Sequence, residues 1–562
     1  MPRFDLYSTG SNSHGHLGLG SVEDYSVYTR VPLPDSCRPV RLACGANHTL
    51  LLAQVDGSAV LYGAGSNASG QLGRGTSDPR STFEEIALNA IALPDSDLHA
   101  DDYEIKDIAA CWETSFVVLR RKEGALRADR GGSELDVLVS LGSNDWGERG
   151  CGPGRLATPA RVSFTSVVAS SGIVVRRIVA GPRHVLALIE SVSPSTLSTS
   201  PVLVGWGASR HGQLGSDDST TDKLPKLLSA PHAVALPEPF SPQDVVDLSC
   251  GKDHSAVVLR SSSASPSQSN GLHVLLMGSN KHGQLGYRAI DAVSPDSRSN
   301  LLNLATLRGL DPTLSLHTGD MSVSTTWNST FVSVTEASDV GADPKIHPTC
   351  SRSMIFAFGS NSHGQLGNTE SDTSEVDTRD KDSPGAGSTS APVDGPSHVV
   401  EFPSRRLGPE ARSVSPSSGS TTRPSSSHLG GAIALSAGSE HVVAIVRPQS
   451  SMPPLPPPST TTTRIDSSAD STIALEPELW TWGWNEHGNL GLGQGDLQDR
   501  RSPTRVDVAS FAGASSRPDG SDRVCPERTT LEAVWAGNAT SWVLVRRDSM
   551  EALVEPDPTL PR

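Results

Sequence analysis

Two residue types recur in this chain at spacings that chemistry uses. Glycines repeat as G-x-x-x-x-G-x-x-G, first in GSNSHGHLG from Gly10 and then from Gly65, Gly142, Gly207, Gly278, Gly359 and Gly483. His14, His211, His282, His363 and His487 hold the fifth position of this motif, and His48, His184, His254 and His441 hold a second recurrent position. A phosphate-cradling loop needs Gly-Lys-Ser/Thr after its spacer, so that the ammonium reaches the phosphates and the hydroxyl reaches magnesium. Here the second glycine is followed by His16, Gln71, Glu148, Gln213, Gln284, Gln365 or Asn489, and never by Lys. A tetrahedral metal site needs ligands that converge, whereas one histidine per repeated unit spreads them apart. A nucleophilic triad needs one distinctive Ser or Cys beside an oriented base, and none stands out. We therefore expect no cofactor, no metal, no catalytic residue and no covalent catalysis. The turn histidines are expected to bond the backbone of their own unit.

The elements that position these residues are also repeated. The second motif is a small residue, a polar turn and an apolar run. It reads CGANHTLLL from Cys44, ACWETSFVVL from Ala110, AGPRHVLALI from Ala180 and CGKDHSAVVL from Cys250. TTWNSTFVSV from Thr325, AGSEHVVAI from Ala437 and AGNATSWVLV from Ala536 follow. Short Val- and Leu-rich runs bounded by turn formers predict buried strands, and each glycine motif is preceded by another such run, as in PVLVGWG and ELWTWG. The first unit lacks the turn-His half and the last lacks the glycine half, so the two ends complete one unit. Ring closure of this kind removes exposed strand edges. The fold expected is all-β, a single seven-bladed propeller over 1–562 closed by N- and C-terminal strands. Gly10, Gly65, Gly142, Gly207, Gly278, Gly359 and Gly483 begin its blade turns, where glycine permits a left-handed backbone.

Composition agrees. The chain has 562 residues, a formal charge of −16, 52 Gly and 41 Pro, with 36% hydrophobic residues. That fits turn-rich β structure with insertions, and the acidic balance argues against direct nucleic-acid binding, which requires clustered Lys and Arg. Residues 368–430 and 447–472 are dominated by Ser, Thr, Pro, Gly and acidic types, too poor in apolar surface to offset ordering entropy, and are expected to be disordered insertions. The seven cysteines form no C-x-x-C pair, so reduced thiols are expected. No run approaches the roughly 20 apolar residues of a membrane helix, and MPRFDLYSTG has no apolar signal core. A monomer in the cytoplasm or nucleus, without membrane contact, is expected.

These motifs resemble the regulator-of-chromosome-condensation repeat family, whose blades carry an AG-x-x-H turn-strand and a strand ending in W-G-x-N-x-x-G-Q-L-G. Within it, LWTWGWNEHGNLG, AGNATSWVLV and ACWETSFVVL are similar to the fungal alpha-tubulin suppressor, or killer toxin insensitivity, subgroup. That resemblance implies a non-enzymatic scaffold for a small zinc-binding protein of the diphthamide and Elongator pathways, supporting diphthamide synthesis and tRNA wobble-uridine modification. The founding member implies a rival, guanine-nucleotide exchange on a Ran-type small GTPase. A generic propeller adaptor in tubulin or traffic regulation is a third reading. The resemblance places Asp253 with His254 and Glu440 with His441 in partner-facing turns. Trp484, Glu486 and His487 of the last glycine motif and Trp535 of the closing blade are the other candidate partner contacts. CWET, WNST and GNAT, at 111–114, 327–330 and 537–540, lack the turn histidine, which weakens the exchange reading.

Overall fold

The computed structural model describes residues 2–73, 78–91, 100–122, 135–154, 159–169, 172–192, 199–215, 224–260, 272–286, 299–303, 321–336, 352–367, 398–400, 402, 429–447, 476–511 and 527–549. Blade one comprises Cys37–Cys44, His48–Val55, Ser58–Gly65 and Arg80–Glu85. Blade two has Tyr103–Ala110, Thr114–Arg121, Asp136–Gly142 and Ala160–Arg161; blade three has Gly172–Ala180, His184–Val192, Thr199–Ala208 and Leu227–Ala233. Blade four has Val245–Cys250, His254–Arg260, Leu272–Gly278 and Ser299–Asn303. Blade five has Met321–Thr325, Ser329–Glu336, Arg352–Gly359 and His398–Val399; blade six has Leu429–Ala437, His441–Arg447, Glu478–Gly483 and Arg500–Arg505. Two residue pairs, Arg352 with Gly430 and Ser353 with Leu429, join blades five and six into one sheet. Blade seven is built from both ends of the chain: Glu527–Ala536 and Thr540–Ser549, then Arg3–Gly10 and Tyr25–Arg30. The expected seven-bladed propeller is the fold.

The second strand of each blade is buried on both faces, which is why it is written as a continuous apolar run. In Thr114–Arg121, Val117 and Leu119 pack with blade one, while Phe116 and Val118 pack with blade three. The same alternation builds seven apolar clusters among the described residues, one at each junction between neighbouring blades. The fourth strands, outermost in each blade, are short and largely polar, as in RSTFEE and RRSPTR. The sequence reading assigned them to connections.

The first glycine of every blade turn has φ between +97° and +119°, where a side chain is strained. At Gly207 a Cβ would also lie 2.5 Å from the Arg183 carbonyl oxygen. In six of the seven turns the asparagine two residues later, such as Asn67, accepts a hydrogen bond from the backbone N–H five residues on. The motif is a structural turn.

Contrary to expectation, the four histidines of the second motif do not bond the backbone of their own blade through their rings. Each ring crosses the junction to a hydroxyl of the next blade: His48 to Ser115 at 3.0 Å, His184 to Ser255 at 2.8 Å, His254 to Thr330 at 3.0 Å and His441 to Ser541 at 3.0 Å. Ser255, Thr330 and Ser541 in turn donate to the carbonyls of Gln213, Gln284 and Asn489. A hydroxyl has one proton to give, so each of those imidazoles donates through Nε2–H. The glycine three residues earlier makes room: a Cβ on Gly251 would sit 2.2 Å from the His254 ring. Where the histidine is replaced by Thr114 or Ser329, the next blade carries Val185 or Val442. There an indole takes over, with Trp206 donating to the Glu148 carbonyl at 2.6 Å and Trp482 to the Gln365 carbonyl at 2.8 Å.

The closing blade pairs Arg3–Gly10 with Thr540–Arg547 over eight residue pairs. A buried polar knot locks this pairing: Asp5 accepts from Arg547 and, at 2.7 Å, from Arg30, while Arg547 also donates to the Tyr7 hydroxyl and the Phe511 carbonyl. Burial alone would push the Asp5 carboxyl up, but the Arg547 and Arg30 guanidinium groups outweigh it and hold it below its ordinary value.

The proposed insertion at 368–430 needs one correction. His398–Val399 within it is the fourth strand of blade five, with Val400 and Phe402 buried against its core. Leu429 and Gly430 already belong to blade six. The rest of 368–430, and 447–472 beyond Arg447 and its strand, lies outside the described residues.

Two outcomes follow from the junctions. Burial holds the imidazoles of His48 and His184 down at about 3 and those of His254 and His441 at about 4, whereas in the unfolded chain they titrate near 6.5. Below pH 6.5 the unfolded state binds more protons, so stability falls with pH, by about 1.4 kcal/mol per pH unit for each such histidine. Thermal denaturation at pH 7.5 and 5 measures this. His184→Thr should lower stability by about 1–3 kcal/mol at pH 7.5, through the lost bond and the Ser255 hydroxyl left without its donor, and should flatten the acid slope by about one proton. At the closure, Asp5→Ala removes the carboxylate facing Arg547 and should cost about 3–5 kcal/mol, read from urea unfolding; a loss under about 1 kcal/mol contradicts the lock.

Candidate protein-docking face

Both sets of turns, the ones between first and second strands and the glycine turns after the third strands, lie at one end of the ring. Among the described residues, backbone groups of neighbouring turns bond around the axis. Ala46 N–H donates to the Trp112 carbonyl at 2.8 Å, Trp112 to Pro182 at 3.0 Å, Lys252 to Trp327 at 3.1 Å, Trp327 to Ser439 at 2.8 Å and Ser439 to Gly537 at 3.1 Å. The Asn538 side chain reaches the Ala46 carbonyl at 3.4 Å. All seven blades line the axial cavity of about 110 Å3 within this ring.

Three tryptophans mark the mouth of that cavity. Trp112 of blade two and Trp327 of blade five meet across the axis with ring centroids 5.7 Å apart. Trp146 of the glycine turn of blade two lies beside them, with the Arg183 guanidinium 4.3 Å above its ring, and the Lys252 ammonium stands 5.3 Å from the Trp327 ring. Trp112 and Trp146 are 40% and 39% exposed. With Pro182 these side chains enclose a second cavity of about 250 Å3. By contrast Trp206, Trp482 and Trp542 are fully buried. Sequence reasoning missed Trp112, Trp146 and Trp327. Their signal was a large aromatic residue at turn positions where other copies carry Ala, Pro, Lys, Ser or Asn, for Trp112 and Trp327, or His or Ser, for Trp146.

A polar chain spans the same face over blades five to seven. Asn328 donates to Glu440 at 3.2 Å, and His363 lies between Glu440 at 3.2 Å and Asp499 at 2.8 Å. Trp484 packs edge-on against both His363 and His487, and His487 pairs with Asp24 at 2.8 Å. Of the sequence candidates, Glu440, Trp484 and His487 are brought together, with Glu486 exposed beside them. Asp253 is half-buried in its turn, its backbone carbonyl accepting from Ser279. His254 and His441 are fully buried in the junctions, which takes them off the surface a partner meets. Trp535 is half-buried and packs on the core between blades seven and one.

The axial thiols are not nucleophiles. Burial pushes Cys44 and Cys250 up to about 12 and Cys111 well above its ordinary value, and only a thiolate attacks. Among the described residues no group of three or more His, Cys, Asp or Glu could hold a metal ion. What this face offers is aromatic and charged contact area.

Comparison with known proteins agrees with the repeat architecture. The family model of the regulator of chromosome condensation (RCC1) repeat matches residues 5–52, 203–258 and 478–515. The secretion-regulating guanine nucleotide exchange factor of Bos taurus is 28% identical over 296 residues, 52% of this chain and 51% of that protein. Its Mus musculus counterpart is 25% identical over 87% of this chain and 76% of its own length. The ultraviolet-B receptor UVR8 of Arabidopsis thaliana is 27% identical over 50% of each chain. The chain thus spans about half the length of the cattle and plant relatives. The crystal structure of human WBSCR16 shares the fold, with a TM-score of 0.52 and 15% identity over 96% of this chain and 99% of that one. Seven two-turn units, one to a blade, and a family model that recognises them in blades one, three, four, six and seven make one conclusion: the chain carries repeats of the RCC1 type.

Proposed function

We propose that this propeller is a docking scaffold without covalent chemistry, and that its turn face engages a small GTPase and speeds release of the bound guanine nucleotide. One observation carries the reading: the exposed Trp112 and Trp146, with Trp327, gather at the axial mouth, and tryptophan is the side chain that most often anchors protein interfaces. Exchange breaks no bond. It needs only a surface that binds the nucleotide-free GTPase better than the loaded one. Two relatives bear the name of a guanine nucleotide exchange factor, which supports this partner class over others.

A second reading keeps the same face and changes the partner to the small zinc-binding protein of the diphthamide and Elongator pathways, with diphthamide synthesis and wobble-uridine modification as the outputs. It rests on the closing-blade turn, where Trp484, Glu486 and His487 of WGWNEHGNLG are presented together. Either partner puts the propeller in the cytoplasm or nucleus.

Release of a fluorescent GDP analogue from a panel of Ran-type and secretory-pathway GTPases tests the first reading. With the propeller at micromolar concentration, one GTPase should release nucleotide at least about tenfold faster, and Trp112→Ala with Trp327→Ala should remove about 2 kcal/mol or more of the binding energy. Unchanged release across the panel overturns it. Co-expression with the small zinc protein tests the second: a stoichiometric complex on gel filtration supports it, and separate elution counts against it.

A further inference from the structure

The cavity between blades two, three, four and five has a chemistry of its own. It is walled by Trp112, Trp146 and Trp327 and by Pro182, and its charged side chains are Arg183 and Lys252. Among the described residues no carboxylate lines it. Glu113, Asp145 and Asp253 lie in the same turns but outside the lining. Among the described residues neither cation has an ion-pair partner. This is a local reversal in a chain whose formal charge is −16.

The wall composition decides what enters. An aromatic pocket ordinarily attracts an external cation over its ring faces. Here the chain's own guanidinium and ammonium stand over Trp146 and Trp327, so an incoming cation meets repulsion and an anion meets attraction. The volume of about 250 Å3 is below the roughly 300–1,000 Å3 of ordinary small-molecule sites, which suits one side chain. The apolar walls need an apolar body, and the two cations at the rim need carboxylates beside it.

We propose that this cavity captures an acidic segment of a protein partner, a short stretch in which one aromatic or branched aliphatic residue is flanked by Asp or Glu. The apolar residue fills the space between the three indoles, and the flanking carboxylates pair with Arg183 and Lys252. The proposal rests on the turn face being a docking surface and adds the chemistry of what docks there, whatever the partner's identity.

Titration calorimetry of the full chain with a capped Asp-Glu-Phe-Glu-Asp peptide tests it. Saturable one-to-one binding is expected, weakened about tenfold or more by Lys252→Glu or Arg183→Glu. Binding should also weaken about tenfold when Ala replaces the peptide's Phe. A capped Lys-Lys-Phe-Lys-Lys peptide should not bind. Unchanged thermal unfolding of the two charge-reversal variants confirms that the ring is intact. Absence of acidic-peptide binding, equal binding of the basic peptide, or indifference to both charge reversals overturns the proposal. The readout involves no GTPase and no zinc protein. Peptide binding without nucleotide release therefore removes the exchange reading alone, and nucleotide release that survives Lys252→Glu and Arg183→Glu without peptide binding removes this inference alone.

Discussion

Every blade of this ring must bury both of its faces at once, and the rest of the structure depends on that constraint. A sheet that is apolar on two sides has no stable existence alone, so each junction has to close, including the one between the chain's two ends. Apolar packing supplies the bulk of the closure but has no direction. Direction comes from the polar contacts threaded through the clusters. A histidine reaches a hydroxyl, which reaches a carbonyl, or else an indole N–H reaches the carbonyl itself. Because an unmade bond at such a depth costs more than a made one returns, these contacts set the register between blades more than they add stability.

The closing blade shows the same logic with charge. Asp5 and Arg547 lie far apart in the sequence and meet where both side chains are buried. Such a pair is poorly compensated unless its remaining valences are filled, and here Arg30, Tyr7 and the Phe511 carbonyl fill them. The knot therefore selects one pairing of the terminal strands over a slipped one, which would flip each side chain to the wrong face.

The second and third strands of each blade were legible because burial on both sides writes them as apolar runs between turn signals, whereas first strands such as CRPVRLAC break theirs with arginines and went unread. The outer strands were not legible either: RSTFEE and RRSPTR carry no such run, and HV is two residues inside a polar stretch. The role of the histidines was misjudged for a different reason. Within one unit nothing shows where the ring points. The clue lies one unit later, where Ser115, Ser255, Thr330 and Ser541 follow a histidine unit, while Val185 and Val442 follow units without one. The tryptophan cluster at the mouth was illegible in kind, since Trp112 and Trp327 are far apart in sequence and become neighbours only through closure of the ring.

Pro182 has one more consequence. It stands in blade three at the position whose N–H, in the other blades that use the backbone, reaches a neighbouring turn. Proline has no such proton, so the collar of bonds around the axis is split at blades three and four. Arg183 and Lys252 flank that split, and the tryptophan-walled cavity opens over it. Among the described residues, then, the collar holds the turns of blades three and four together without a backbone bond, directly beneath the tryptophan-walled cavity.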